Sequence, residues 1–166
     1  MEEVSYCVTS WSTAPHQDET KGRAQLFVDH FEHSLDAKHR LVLPSAYRKK
    51  LGERVYLAPQ VSSLGVYSVE EFEAVANRLL EQLRAGEAEQ ETVLAFGSQT
   101  VETAIDSAGR ITIPERLRSF ASLTDEVVVA GVITHVQIWD RSQYGSRQER
   151  FDDVVVQQLQ NRSSIN

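Results

Sequence analysis

Two short stretches of this chain combine residue types that could contact an anionic partner, and they are near-copies of each other. Residues 34–48 read SLDAKHRLVLPSAYR and residues 104–118 read AIDSAGRITIPERLR. In each, an aspartate precedes an arginine by four positions, Asp36 to Arg40 and Asp106 to Arg110, and a Pro-x-x-x-Arg follows, Pro44 to Arg48 and Pro114 to Arg118. An aspartate at the head of a tight turn accepts hydrogen bonds from backbone N–H groups two or three residues on, and Gly109 supplies positive φ in the second copy. That explains the aspartates and the glycine as turn residues but leaves both arginines over. A rigid turn that presents Arg40 and Arg110 at one rim would suit phosphate or a guanine edge, since guanidinium donates two parallel hydrogen bonds to either.

The charge pattern favours a polyanion locally and opposes one globally. Net charge is -7 and the pI is about 5.2, whereas nucleic-acid binders usually show a basic face or a pI above roughly 9. From Leu35 to Val55, however, Lys38, Arg40, Arg48, Lys49, Lys50 and Arg54 outweigh Asp36 and Glu53, a net +4 with His39 in addition. From Val69 to Thr92, seven glutamates face only Arg78 and Arg84, a net −5. The acid is therefore segregated away from the turn, and phosphate meets the local patch rather than the average. Between Gln99 and Phe120, three acids balance Arg110, Arg116 and Arg118. The first copy is expected to make the main contact.

The elements that must position these residues also repeat. At an offset of 70, Leu35, Leu41 and Leu43 fall on Ile105, Ile111 and Ile113. After a two-residue slip, Val55-Tyr56-Leu57 matches Val127-Val128-Val129, Val66-Tyr67 matches Ile138-Trp139, and Phe72 matches Tyr144. Each copy predicts a β run before the aspartate (Gln25 to Ser34; Val93 to Ile105), the turn, a three-residue alternating strand and a short helix with Pro44 or Pro114 at its first position. Gly52 should stop the first short helix. Two strands follow, around 54–58 and 64–67, and again around 126–131 and 135–139. A closing helix starts at a capping box, Ser68 to Glu71 or Asp140 to Gln143. Val69, Phe72, Ala76, Leu79, Leu80 and Leu83 give the first closing helix an apolar stripe ended by Gly86. In the second, a polar stretch from Ser146 to Arg150 interrupts the pattern, and Gln160 to Asn166 reads as unstructured. The units are expected at 1–25 as a disordered extension, 26–92 and 93–160.

The doubled Asp-x-x-x-Arg, each followed by an apolar strand and Pro-x-x-x-Arg, resembles the MraZ family, the two-copy branch of the AbrB-type swapped-hairpin superfamily. The resemblance spans about 26 to 150. It implies an α+β fold: two tandem AbrB-like swapped-hairpin β-barrel modules with flanking helices. It further implies a ring-shaped homo-oligomer on double-stranded DNA in the nucleoid, regulating transcription at short direct repeats upstream of the division and cell-wall operon. Carried over, the DNA-contacting turn falls on Asp36, Lys38, His39 and Arg40, with a second copy at Asp106 and Arg110. Lys38, Arg48, Lys49, Lys50 and Arg118 would serve phosphates. His39 stands where the family and this chain's own second copy have glycine, so the first turn either keeps its shape under strain or loses a close backbone approach. An antitoxin-like protein-binding module, contacting a partner through the acidic helices, is the alternative of another class.

Other chemistry finds no residues. His30-Phe31-Glu32-His33 is one residue short of H-x-x-E-H and lies in an expected strand, where i and i+3 face opposite ways. Cys7 has no matching histidine, and Trp11 falls in the extension. No Gly-rich nucleotide loop occurs. No catalytic residue, metal ligand or cofactor is assigned. The single cysteine, the acidic start Met1-Glu2-Glu3 and the absence of a long apolar run predict a cytoplasmic chain without a membrane anchor. Leu41, Leu43, Ile111 and Ile113 are expected to need partners from other subunits, and the resemblance implies that these close into a ring.

Overall fold

A computed structural model describes residues 25–163; the expectations placed on 1–24, with Cys7 and Trp11, and on the last three residues lie outside them. The first copy supplies β1 (His30–Ser34), β2 (Arg40–Val42), α1 (Ser45–Leu51), β3 (Arg54–Gln60), β4 (Ser63–Ser68) and α2 (Val69–Arg84). After α3 (Gln90–Gln99), the second supplies β5 (Val101–Ala104), β6 (Arg110–Thr112), α4 (Glu115–Phe120), β7 (Glu126–Gly131), β8 (Val136–Asp140) and α5 (Arg141–Ser163). Six strands form one antiparallel sheet in the order β1-β7-β8-β4-β3-β5, and β2 with β6 form a separate ribbon.

This order is a strand exchange. The first strand of each copy leaves its own hairpin and joins the other's: β1 pairs with β7, Phe31 opposite Val129, and β5 pairs with β3, Thr103 opposite Val55. The hairpins β3–β4 and β7–β8 meet through β4 and β8, with Leu64 opposite Ile138. The offset that aligned the copies survives in the register, since Tyr56 opposes Tyr67 as Val128 opposes Trp139. The fold is thus the α+β swapped-hairpin architecture with flanking helices.

The ribbon closes the structure. Leu41 opposes Ile111, and a bridge from Leu35 to Leu41 ties β2 to the end of β1. Leu41, Leu43, Ile111 and Ile113 are all at most 1% exposed. Each contributes about 1.5–3 kcal/mol by leaving water, and together they anchor a ribbon with only three residue pairs. The expectation that these four need another subunit is therefore corrected. Because both copies lie on one chain, each supplies the other's partner internally. Phe27 is also buried, edge-on to Tyr47 at 5.7 Å, so among the described residues the core begins with Phe27, while Leu26 stays exposed. Gly131 permits this: a Cβ there would meet the Phe27 and Val28 backbone at about 2.5 Å.

Several local expectations change. Val93 to Gln99 is helix rather than strand; only 101–104 pairs. Val93, Phe96 and Thr100 are half-buried at helical spacing, and Phe96 stacks on Phe72 at 5.8 Å, so packing on α2 overrides the β-prone types. Before the first aspartate, strand structure begins only at His30, with a lone bridge at Phe27. Pro44 and Pro114 are N-caps, one residue earlier than expected. Ser68 does cap α2, accepting from the Glu71 N–H, but the Glu71 carboxylate turns to Arg78 instead of completing the box. Gly52 ends α1 at φ 83° as expected. The second closing helix is not interrupted: α5 runs 23 residues to Ser163. Asp140 starts it by accepting from the Ser142 and Gln143 N–H groups, and Arg147, inside the polar stretch, lies over the Trp139 ring at 4.9 Å.

Candidate nucleic-acid interface

The two Asp-x-x-x-Arg segments fold into the same turn. Asp36 Oδ1 accepts from the Lys38 and Arg40 N–H groups, both at 2.9 Å. Asp106 Oδ1 accepts from Ala108 at 2.9 Å and Arg110 at 2.8 Å. The backbone closes each turn identically, Asp36 with Arg40 and His39, Asp106 with Arg110 and Gly109. His39 sits at φ 56° and Gly109 at φ 76°, so the histidine keeps the glycine's left-handed geometry, at the steric cost that falls on any residue with a Cβ.

The arginines are not left over. Arg40 donates through Nε to Asp36 Oδ2 at 2.7 Å, with Nη2 also at 2.7 Å, and Arg110 donates through Nε to Asp106 Oδ2 at 2.7 Å. Each aspartate therefore shapes the backbone with one oxygen and aims its own arginine with the other. A turn that leaves its arginines over is therefore not what forms: fold and aim are one hydrogen-bond system. A guanidinium has five N–H donors, so donors remain for an outward partner. The Arg40 guanidinium beside Asp36 holds that carboxyl down at about 2. Asp106 is also held below the ordinary carboxylate range, chiefly by the Arg110 backbone N–H.

The two turns are locked together. Leu43 N–H donates to the Gly109 carbonyl at 2.9 Å, and Ile113 N–H donates to the His39 carbonyl at 3.1 Å. Each turn tip is thereby held by the strand that leaves the other, and because β2 and β6 run antiparallel the two turns flank the ribbon at its opposite ends. Around them, the Lys38 and Lys49 side chains are exposed. Lys50 is more committed, donating to the Leu26 carbonyl at 2.6 Å with its ammonium 5.7 Å from the Phe27 ring.

Arg48 and Arg118 occupy equivalent places on α1 and α4 but behave differently. Arg118 donates through Nε to the Ile113 carbonyl of its own copy at 3.3 Å. Arg48 crosses to the other copy, lying so close over Gly109 that a Cβ there would collide with it. Its Nε is buried without a hydrogen-bond partner, as is His39 Nδ1. Sequence reasoning gave Arg48 to phosphate within the first copy's basic stretch and missed the crossing; the glycine at 109 against histidine at 39 was the available signal.

Among the described residues, no group of three or more His, Cys, Asp or Glu side chains could hold a metal ion, and no helix is long and apolar enough to cross a membrane. His30 and His33 lie on β1, alternating in exposure.

The family described as "MraZ protein, putative antitoxin-like" matches the chain twice, over residues 26–95 and 96–162. The chain is 37% identical over 121 residues to a protein of Alkaliphilus metalliredigens (strain QYMF) named "Transcriptional regulator MraZ", an alignment covering 72% of this chain and 85% of that protein.

Proposed function

Because the chain belongs to the MraZ family of transcriptional regulators, we propose that it regulates transcription by binding double-stranded DNA through the paired turns that flank the ribbon. The observation that carries this reading is the aspartate–arginine bond repeated in both turns, which fixes one guanidinium group at each end of the ribbon. Arg40 reads guanine O6 and N7, and Arg110 contacts the same duplex from the second turn. Asp36 and Asp106 aim them. Lys38, Arg48, Lys49 and Arg118 neutralise phosphates, with Lys50 adding charge from its anchor on Leu26 and His39 shaping the first tip.

The sites are short direct repeats upstream of the division and cell-wall operon, and the working form is a ring of several subunits on nucleoid DNA in the cytoplasm. Each turn pair then makes one weak contact, and repeated sites sum them. The reading is that of a regulator and not of an enzyme. The exposed apolar residues of α5, among them Val154 and Val155, also suit an antitoxin-like protein partner, the second reading.

A gel-shift with the upstream region of the chain's own operon separates the two. Retardation of that duplex, abolished by scrambling the repeats, is expected. Equal affinity for both duplexes removes sequence-specific regulation, and no binding at either leaves the protein-binding module.

A further inference from the structure

The two turns look alike in their backbone bonds, yet their surroundings differ in one respect that bears on how they hold a ligand. Over Gly109 there is no side chain of the turn's own, and the Arg48 guanidinium fills that space from the opposite copy. Gly109 itself is buried beneath it. At the equivalent place in the first turn stands the His39 side chain, and Arg118 bonds the Ile113 carbonyl instead. Arg48 Nε is buried without a partner, so the guanidinium is held by packing over Gly109 rather than by a bond there, and a charge kept partly out of water gains from an anion at its outer edge. Nearby, Arg110 is already aimed by Asp106.

Resting on the DNA-binding reading above, we infer that Arg48 and the Gly109–Arg110 turn form one composite site for a DNA phosphodiester, assembled from both copies, with no counterpart at the first turn. Gly109 serves this site twice: it allows the left-handed tip, and it clears the path for Arg48. The second turn thus gains the cation its own segment lacks. His39 makes the first turn depend on Arg40 and Lys38 alone. One chain accordingly offers DNA two unlike contacts, so a bound duplex is gripped with a defined polarity.

A double-mutant cycle on the full chain tests the inference, with fluorescence anisotropy on a duplex carrying the upstream repeats. Arg48→Ala and Arg110→Ala should each weaken binding roughly ten-fold, as for a lost charged hydrogen bond. The double variant should lose little more than either single one, because both groups serve one phosphate. Arg118→Ala and Arg40→Ala should simply multiply. In a His39→Gly background, Arg118→Ala should become coupled to Arg40→Ala. Multiplicative losses for Arg48 and Arg110 with normal wild-type binding overturn the composite site alone. Failure of the wild type to bind any duplex overturns the DNA reading and this inference with it. A second arm uses no DNA. Gly109→Ala should lower the melting temperature less in an Arg48→Ala background than in the wild type, and equal losses would show that Arg48 does not occupy that space.

Discussion

At the scale of single residues, carboxylates organise this molecule more than their numbers suggest. Asp140 is 3% exposed. Burial pushes its carboxyl up, but hydrogen bonds from Ser142, Thr124 and the Gln143 N–H outweigh that and hold it at about 2. The folded-state value is below the ordinary 3.8, so the stabilisation is present in full above the ordinary range and is lost as pH falls toward 2. Asp36 behaves in the same sense through Arg40. Acid melts should therefore show stability falling as pH drops from about 4 to 2. Asp140→Ala, which also removes the α5 cap, should cost about 1 kcal/mol at neutral pH and flatten that acid limb. An unchanged limb in the variant would contradict the assignment. At this scale the turns were legible because Asp, Gly and Arg recur at fixed spacing. The bond between Asp36 and Arg40 was not, because only the folded turn brings position i+4 back onto position i.

At the scale of elements, the three-residue strands β2 and β6 have little pairing of their own and depend on burial. Leu41→Ala and Ile111→Ala should each cost about 2–5 kcal/mol, because both side chains are fully buried and oppose each other across the ribbon. Their double variant should be less than additive. Urea melts of the four proteins measure this, and a loss under 1 kcal/mol for either single variant would show that the ribbon is not anchored this way. Most strands, the turns, the first closing helix and the start of the second were readable from period and caps. What escaped was decided by contacts distant in sequence. Val93 to Gln99 has β-prone residues but packs Phe96 on Phe72. In α5, the stretch Ser146 to Arg150 interrupts an apolar pattern yet places Arg147 on Trp139.

At the scale of the whole molecule, the exchange of β1 and β5 makes the two copies a single core, so association with other chains has to use surfaces outside that core. Of the described residues, those of α5 leave the most apolar surface together: Val154, Val155 and Val156 are each half or more exposed. Light scattering should give a mass several-fold above 18.7 kDa, and Val154→Glu with Val155→Glu should reduce it without lowering the melting temperature. A clean monomer for the unaltered chain would remove the ring and the summed weak contacts with it. The internal repeat made the doubled module plain, whereas the crossing of Arg48 onto Gly109 exists only once the copies are intertwined.

The central claim is that the aimed Arg40 reads DNA sequence, and it is tested most directly by titrating the chain and its Arg40→Ala variant against repeat-bearing and scrambled duplexes at two salt concentrations. The account predicts that Arg40→Ala loses about 1–3 kcal/mol on the repeats and much less on the scrambled duplex. Lys49→Ala, as a phosphate contact, should weaken both alike and lower the salt slope by about one. Equal losses for Arg40→Ala on both duplexes would contradict base reading, and no loss on either would reduce the turn to a structural device.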